Sequence, residues 1–81
     1  REHPFRSEEG KLVKGLNADV DRLRRLCVEV GGMRDVESPM AVGVDALGVD
    51  VRARFDIVRL PFPEEATDAE AALAMIAGLG A

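Results

Sequence analysis

The apolar rhythm of the chain changes once, and that change limits what it can fold into. Leu12, Leu16, Val20, Leu23, Cys27 and Val30 recur three and four residues apart, with Asp19, Asp21, Arg22, Arg25 and Glu29 off that line. This is one stripe of an amphipathic helix. Gly31-Gly32 follows where a left-handed residue closes a helix, and from Pro39 the spacing drops to two. Met40, Val42, Val44 and Ala46 alternate with Ala41, Gly43 and Asp45, then Val49, Val51, Ala53 and Phe55 with Asp50, Arg52 and Arg54. A period of two is the mark of half-buried strands. A helical stripe and a strand alternation in one short chain must bury their apolar sides against each other.

The spacing predicts a helix over 8–30, with Ser7 as its cap and Glu8 and Glu9 in the first turn where the dipole favours acids. If both apolar strand sets face one core, Val44 pairs with Val51 and Val42 with Ala53. That register leaves Leu47-Gly48 as a two-residue turn with positive φ at Gly48. A third run puts Val58, Leu60 and Phe62 inward and Arg59 outward until Pro61 and Pro63 stop the sheet. Thr67 and Glu70 have capping-box spacing, with Asp68 in the first turn, and Ala69, Ala72, Leu73, Ile76 and Leu79 stripe a second helix. The fold expected is α+β: helix, three-stranded antiparallel β-meander, helix, with both helices on one face of the sheet. Residues 1–7 read as a flexible arm or linker and 8–81 as one domain. The 81-residue length leaves no room for a second.

Composition excludes several functions. A net charge of −4 argues against a nucleic-acid footprint. One cysteine and one histidine cannot build a zinc site or an internal disulfide, so the default setting is reducing and cytoplasmic. No apolar run is long enough to span a bilayer, and no signal-peptide pattern opens the chain. Arginine far outnumbers lysine, which occurs only at Lys11 and Lys14, as in a GC-rich bacterial genome. A start at Arg1 rather than Met reads as a piece of something longer.

The segment "GVDALGVDVR" repeats Gly-Val-Asp across the hairpin and sets Asp45 opposite Asp50 on its outer face. Like charges directly opposite are destabilising. Such a pair binds a cation, shares a proton, or is relieved by water and the nearby Arg52. An exposed tip with only Leu47 and Gly48 between them favours the last. Arg52, Arg54 and Arg59 share the outer face and could receive a phosphate or an acidic surface, although a solvated charged face is the simpler reading. His3 reads as an exposed side chain in the arm, and Cys27 as a core thiol with no base to activate it. No phosphate loop, nucleophile elbow or paired cysteines occur. Nothing assembles a catalytic set, so the chain is not expected to be an enzyme on its own.

"LNADVDRL", "GVDALGVDVRA" and "VRLPFPEEATDAEAAL" resemble a small domain found behind FMN-binding split-barrel domains of the pyridoxamine-phosphate-oxidase type. That family includes bacterial haem-utilisation and haem-degrading proteins and a plastid protein that binds glutamyl-tRNA reductase. The resemblance covers about residues 12–76. Family members commonly open the first helix with His-Met-Asn-x-Asp-His, and histidines of this region are associated with haem ligation. Here Asn17 and Asp19 are kept, and the histidine positions are Gly15 and Val20. The resemblance therefore implies an accessory domain without haem ligands, any haem or FMN being held elsewhere in a parent protein. Asn17 and Asp19 are expected to be structural, for example by hydrogen-bonding the hairpin backbone. Its implied partner is a split-barrel domain in the same chain, another protein, or a second copy, met through the outer sheet face and unpaired strand edges. The alternative is a haem or tetrapyrrole module with His3 or Cys27 as axial ligand, or a regulator of a tetrapyrrole-pathway enzyme.

Overall fold

The computed structural model describes residues 3–34 and 36–80; Arg1, Glu2, Asp35 and Ala81, which include the start of the expected arm, lie outside the described residues. A 3₁₀ turn, Arg6–Glu8, leads into α1 (Glu9–Asn17) and α2 (Val20–Glu29). Strands β1 (Met40–Asp45), β2 (Gly48–Ala53) and β3 (Asp56–Pro61) form an antiparallel meander in that order, and α3 (Ala69–Gly78) closes the domain. The helices and one face of the sheet enclose a single core centred on Leu23, Cys27, Val44, Val49, Val51 and Leu60.

The expected 8–30 helix is two helices. Asp19 leaves helical geometry (φ −126°, ψ 80°), and its carboxylate accepts the Arg22 amide at 3.1 Å, restarting the helix. A short carboxylate that competes for backbone amides favours a cap over a helix interior. The apolar stripe runs across the break through Leu16 and Leu23, which is why periodicity alone does not show it. Ser7 caps nothing; its hydroxyl donates to the Glu8 carboxylate at 2.8 Å. Nor are residues 3–7 an arm: Phe5 is 1% exposed in the core, and His3 stacks edge-on against it at 4.5 Å. At the far end, a Cβ on Gly31 would lie 2.5 Å from Val58 Cγ1, so glycine there lets the end of α2 press on β3.

The first hairpin is two residues out of the expected register. Val44 faces Val49 and Asp45 faces Gly48, so the turn is Ala46-Leu47, and Gly48 does not have positive φ. The register shifts again between Ala41 and Gly43, so that Gly43 faces Asp50 while Ala41 faces Val51. A bulge of this kind re-aims side chains. Ala41 is buried, whereas Met40 and Val42, expected inward, are exposed. Gly48 is fixed by space instead of φ: a Cβ there would lie 2.5 Å from the Leu60 carbonyl oxygen. The second hairpin turns at Arg54-Phe55, with φ 59° at Arg54, so Phe55 is ejected to 87% exposure rather than packing inward. Val58, Leu60 and Phe62 are buried as expected. In α3 the cap is Asp68, accepting from the Ala71 amide at 2.7 Å, and not Thr67; Ala72 and Ile76 are buried, but Leu73 is exposed.

Candidate functional site

The outer sheet face carries a charge cluster built by the corrected register. Asp45 does not face Asp50; the two carboxylates are joined by Arg59, whose guanidinium donates to Asp45 at 2.7 Å and to Asp50 at 2.9 Å. Arg59, and not Arg52, relieves the pair. Asp45 Oδ1 also accepts the Leu47 and Gly48 amides at 2.9 and 3.1 Å, which fixes the turn. Burial by itself would raise the Asp45 carboxyl, but Arg59 and those two amides outweigh it and hold the carboxyl below its ordinary value. Arg59 is held above its ordinary value, chiefly by its hydrogen bond to Asp45. Arg54 is not on this face. It sits in the turn, paired with Glu37 at 3.0 Å and lying over the Phe55 ring at 5.2 Å. The three arginines thus do not form one anion-binding set. Among the described residues, no group of three or more His, Cys, Asp or Glu could hold a metal ion.

Asn17 and Asp19 have separate tasks. Asn17 acts as a backbone mimic at the outer edge of β1, its Oδ1 accepting the Ala41 amide at 2.7 Å and its Nδ2 donating to the Ala41 carbonyl at 3.1 Å. Asp19 caps α2 and does not touch the hairpin. One more residue, which the sequence places only as an acid in the first turn of a helix, completes this edge. Glu9 reaches from α1 to accept the Val44 amide at 3.0 Å, and its other oxygen takes His3 Nε2 at 3.3 Å. A glycine within a strand marks a close approach, and that was the available signal: a Cβ on Gly43 would meet the Glu9 carboxylate at 3.3 Å. His3 is therefore half-buried and engaged rather than free. Cys27 is fully buried, and burial pushes its thiol up, away from the reactive thiolate.

A groove of about 610 Å³ runs between the three helices, a size in the range of small-molecule sites. Leu12, Leu16, Leu23 and Ile76 form its floor, and Lys11, Arg22, Glu8, Asp19 and Glu70 rim it. Arg22 crosses to α3 and donates to the Ile76 carbonyl at 2.7 Å, tying the last turn of that helix to α2. No sequence pattern announces this groove. It is lined by the small residues Ala69 and Ala77 of α3 and Gly15 of α1, and a Cβ on Gly15 would meet nothing within 4 Å. Of the two positions where the resemblance expects histidine, Gly15 lines the groove and Val20 does not. No His, Cys, Met or Tyr is among the lining residues, so the groove offers none of the usual axial ligands of haem iron. The residues present do not fit axial ligation of haem.

No family model and no curated protein matches the sequence. Solved structures do. A heme binding protein from Mycobacterium smegmatis superposes with a TM-score of 0.84 at 22% identity over 94% of this chain. The Agrobacterium tumefaciens protein Atu2129, of unknown function, superposes with a TM-score of 0.81, also at 22% identity over 94% of this chain. The chain spans 34% and 32% of those two longer proteins, respectively. The likeness establishes a shared α+β fold. Among the described residues, no helix is long and apolar enough to cross a membrane.

Proposed function

We propose that this chain is a non-catalytic accessory domain of a haem-utilisation-like protein, cytoplasmic, docking on a split-barrel domain of the same or another chain. One observation carries the reading: the whole architecture recurs as about a third of two longer proteins, one of them heme binding. The docking surface is the outer sheet face, where Met40, Val42 and Ile57 are exposed around the Arg59 cluster. Apolar side chains ringed by charge on an open sheet face are the composition of an interface. Chemistry and any FMN or haem then belong to the partner. The test is a pull-down with the tagged chain from its source cells. Recovery of an FMN-binding split-barrel protein, reduced by Met40→Lys, is the expected result. Turnover of a flavin or haem substrate by the isolated chain would contradict it.

The helical groove favours a second reading, a tetrapyrrole-binding module or a regulator of a tetrapyrrole-pathway enzyme. Its floor is apolar, and Lys11 and Arg22 could face carboxylates. Against it stand the absent ligands at Gly15 and in the rest of the lining, the burial of Cys27 and the engagement of His3 with Glu9. A haemin titration separates the two. A saturable, one-to-one Soret shift supports the second reading, and a non-saturating response supports the first.

A further inference from the structure

The two outer strands of the sheet end in different conditions. On β1, Ala41 and Val44 direct their backbone groups outward, and α1 meets them with Asn17 and Glu9. In an antiparallel sheet, residues alternate between pairs that exchange hydrogen bonds and pairs that point away. Ala41 faces Val51 and points away from it, so Val51 directs its own groups to Val58 across β3. Ile57 and Arg59, on either side of Val58, must then direct their N–H and C=O groups out of the sheet. The Phe62 amide donating to the Leu47 carbonyl at 2.8 Å keeps the same alternation. Pro61 falls at the next outward position, where its missing N–H costs the sheet nothing. Among the described residues, no backbone group pairs with this edge.

We infer that the β3 edge pairs with the β3 edge of a second copy, antiparallel, about a two-fold axis at Val58. This register matches the outward groups to one another. The Ile57 N–H donates to the carbonyl of the partner's Arg59, the amide of the partner's Arg59 donates to the Ile57 carbonyl, and symmetry repeats both. Four backbone bonds form, and the two meanders become one six-stranded sheet. The outer-face pairs are compatible. Ile57, 61% exposed, lies beside an arginine already neutralised by Asp45 and Asp50, and the exposed Phe55 lies beside the partner's Pro61. No like charges stand directly opposite, which is the charge condition for self-pairing. Ile57 and Phe55, 61% and 87% exposed beside this open edge, gain apolar neighbours in such a pairing. The inference shares Ile57 with the docking face but commits to one edge, one register and one occupant, a second copy, so the two readings can fail separately.

The test is sedimentation of the 81-residue chain up to about 1 mM, because a single strand edge is a small interface and binds weakly. Two variants accompany it. Ile57→Pro removes an N–H that makes no bond inside the sheet, and Ile57→Lys places a charge on the edge. Concentration-dependent dimers, weakened about tenfold or more by both variants, are expected. Circular dichroism checks that each variant is folded, and if the proline variant is not, the lysine variant decides. A monomer throughout the range, or dimers unchanged by the folded variants, would overturn the inference. The pull-down is read separately. A monomer that still captures a split-barrel protein sinks only the self-pairing, and a dimer that captures none sinks only the docking.

Discussion

The edge of β1 is closed and the edge of β3 is open, although both belong to the same six-residue-strand meander. β1 lies beside α1, and two polar side chains of that helix take the place of a fourth strand. Among the described residues, no helix reaches the outward groups of β3, whose protection is limited to Pro61 and the charge of Arg59. An unpaired edge left on a small sheet is a site for another strand, and an edge answered by side chains is not. The difference teaches where this domain is built to be finished and where it is built to be extended. It also gives Asn17 a physical purpose: one amide satisfies both the N–H and the C=O of Ala41.

Changes at four positions would break or sharpen this contrast. The largest effect is expected from Asn17→Ala, which leaves a part-buried amide and carbonyl without partners. About 2 kcal/mol of stability should be lost, measured by urea unfolding. Glu9→Ala strips the Val44 amide of its acceptor and frees His3, with about 1 kcal/mol expected. Glu9→Gln, which keeps a carbonyl oxygen, should lose less than half of that in the same assay. On the open edge, Ile57→Pro in dilute solution should cost about 0.5 kcal/mol or less, because the lost donor had no bond to lose. The smallest effect is acid dependence at the Arg59 cluster. Asp45 has a lowered folded value, so its contribution is present above the unfolded carboxyl range and is lost as pH falls through the folded value. The stability difference between the natural chain and Asp45→Asn should therefore shrink below about pH 4. A difference that grew on acidification would reverse the sign of this assignment.

Much of the architecture is legible in the residues. Period two is tied to the pleat, so Val49, Val51, Val58 and Leu60 could be assigned to the core before any register was known. The register itself could not, because a bulge beside Gly43 and a turn at Ala46-Leu47 each move it, and both alternatives keep Val44 and Val51 buried. The helix break at Asp19 is hidden for a related reason: the stripe that defines the core face continues across it. Among the candidate residues, Asn17 was expected to bind the hairpin backbone and does so, at β1. Asp45, Asp50 and Arg59 could be placed on the outer face, but their joint bridge depends on the third strand lying beside the second. Glu9 and the helical groove were not visible, because each is made by segments that meet only in three dimensions. Fewer than twenty-five residues separate Asn17 from its β1 partner, yet nothing in the intervening chain specifies that contact.

Amide hydrogen exchange of the dilute chain, read residue by residue by NMR, tests the contrast most directly. The Ala41 and Val44 amides, held by Asn17 and Glu9, should be protected like those of β2, while the Ile57 and Arg59 amides exchange nearly as fast as an unfolded peptide. Protection at Ile57 and Arg59 in the monomer, or fast exchange at Ala41 and Val44, would mean that the closed and open edges have been assigned the wrong way round.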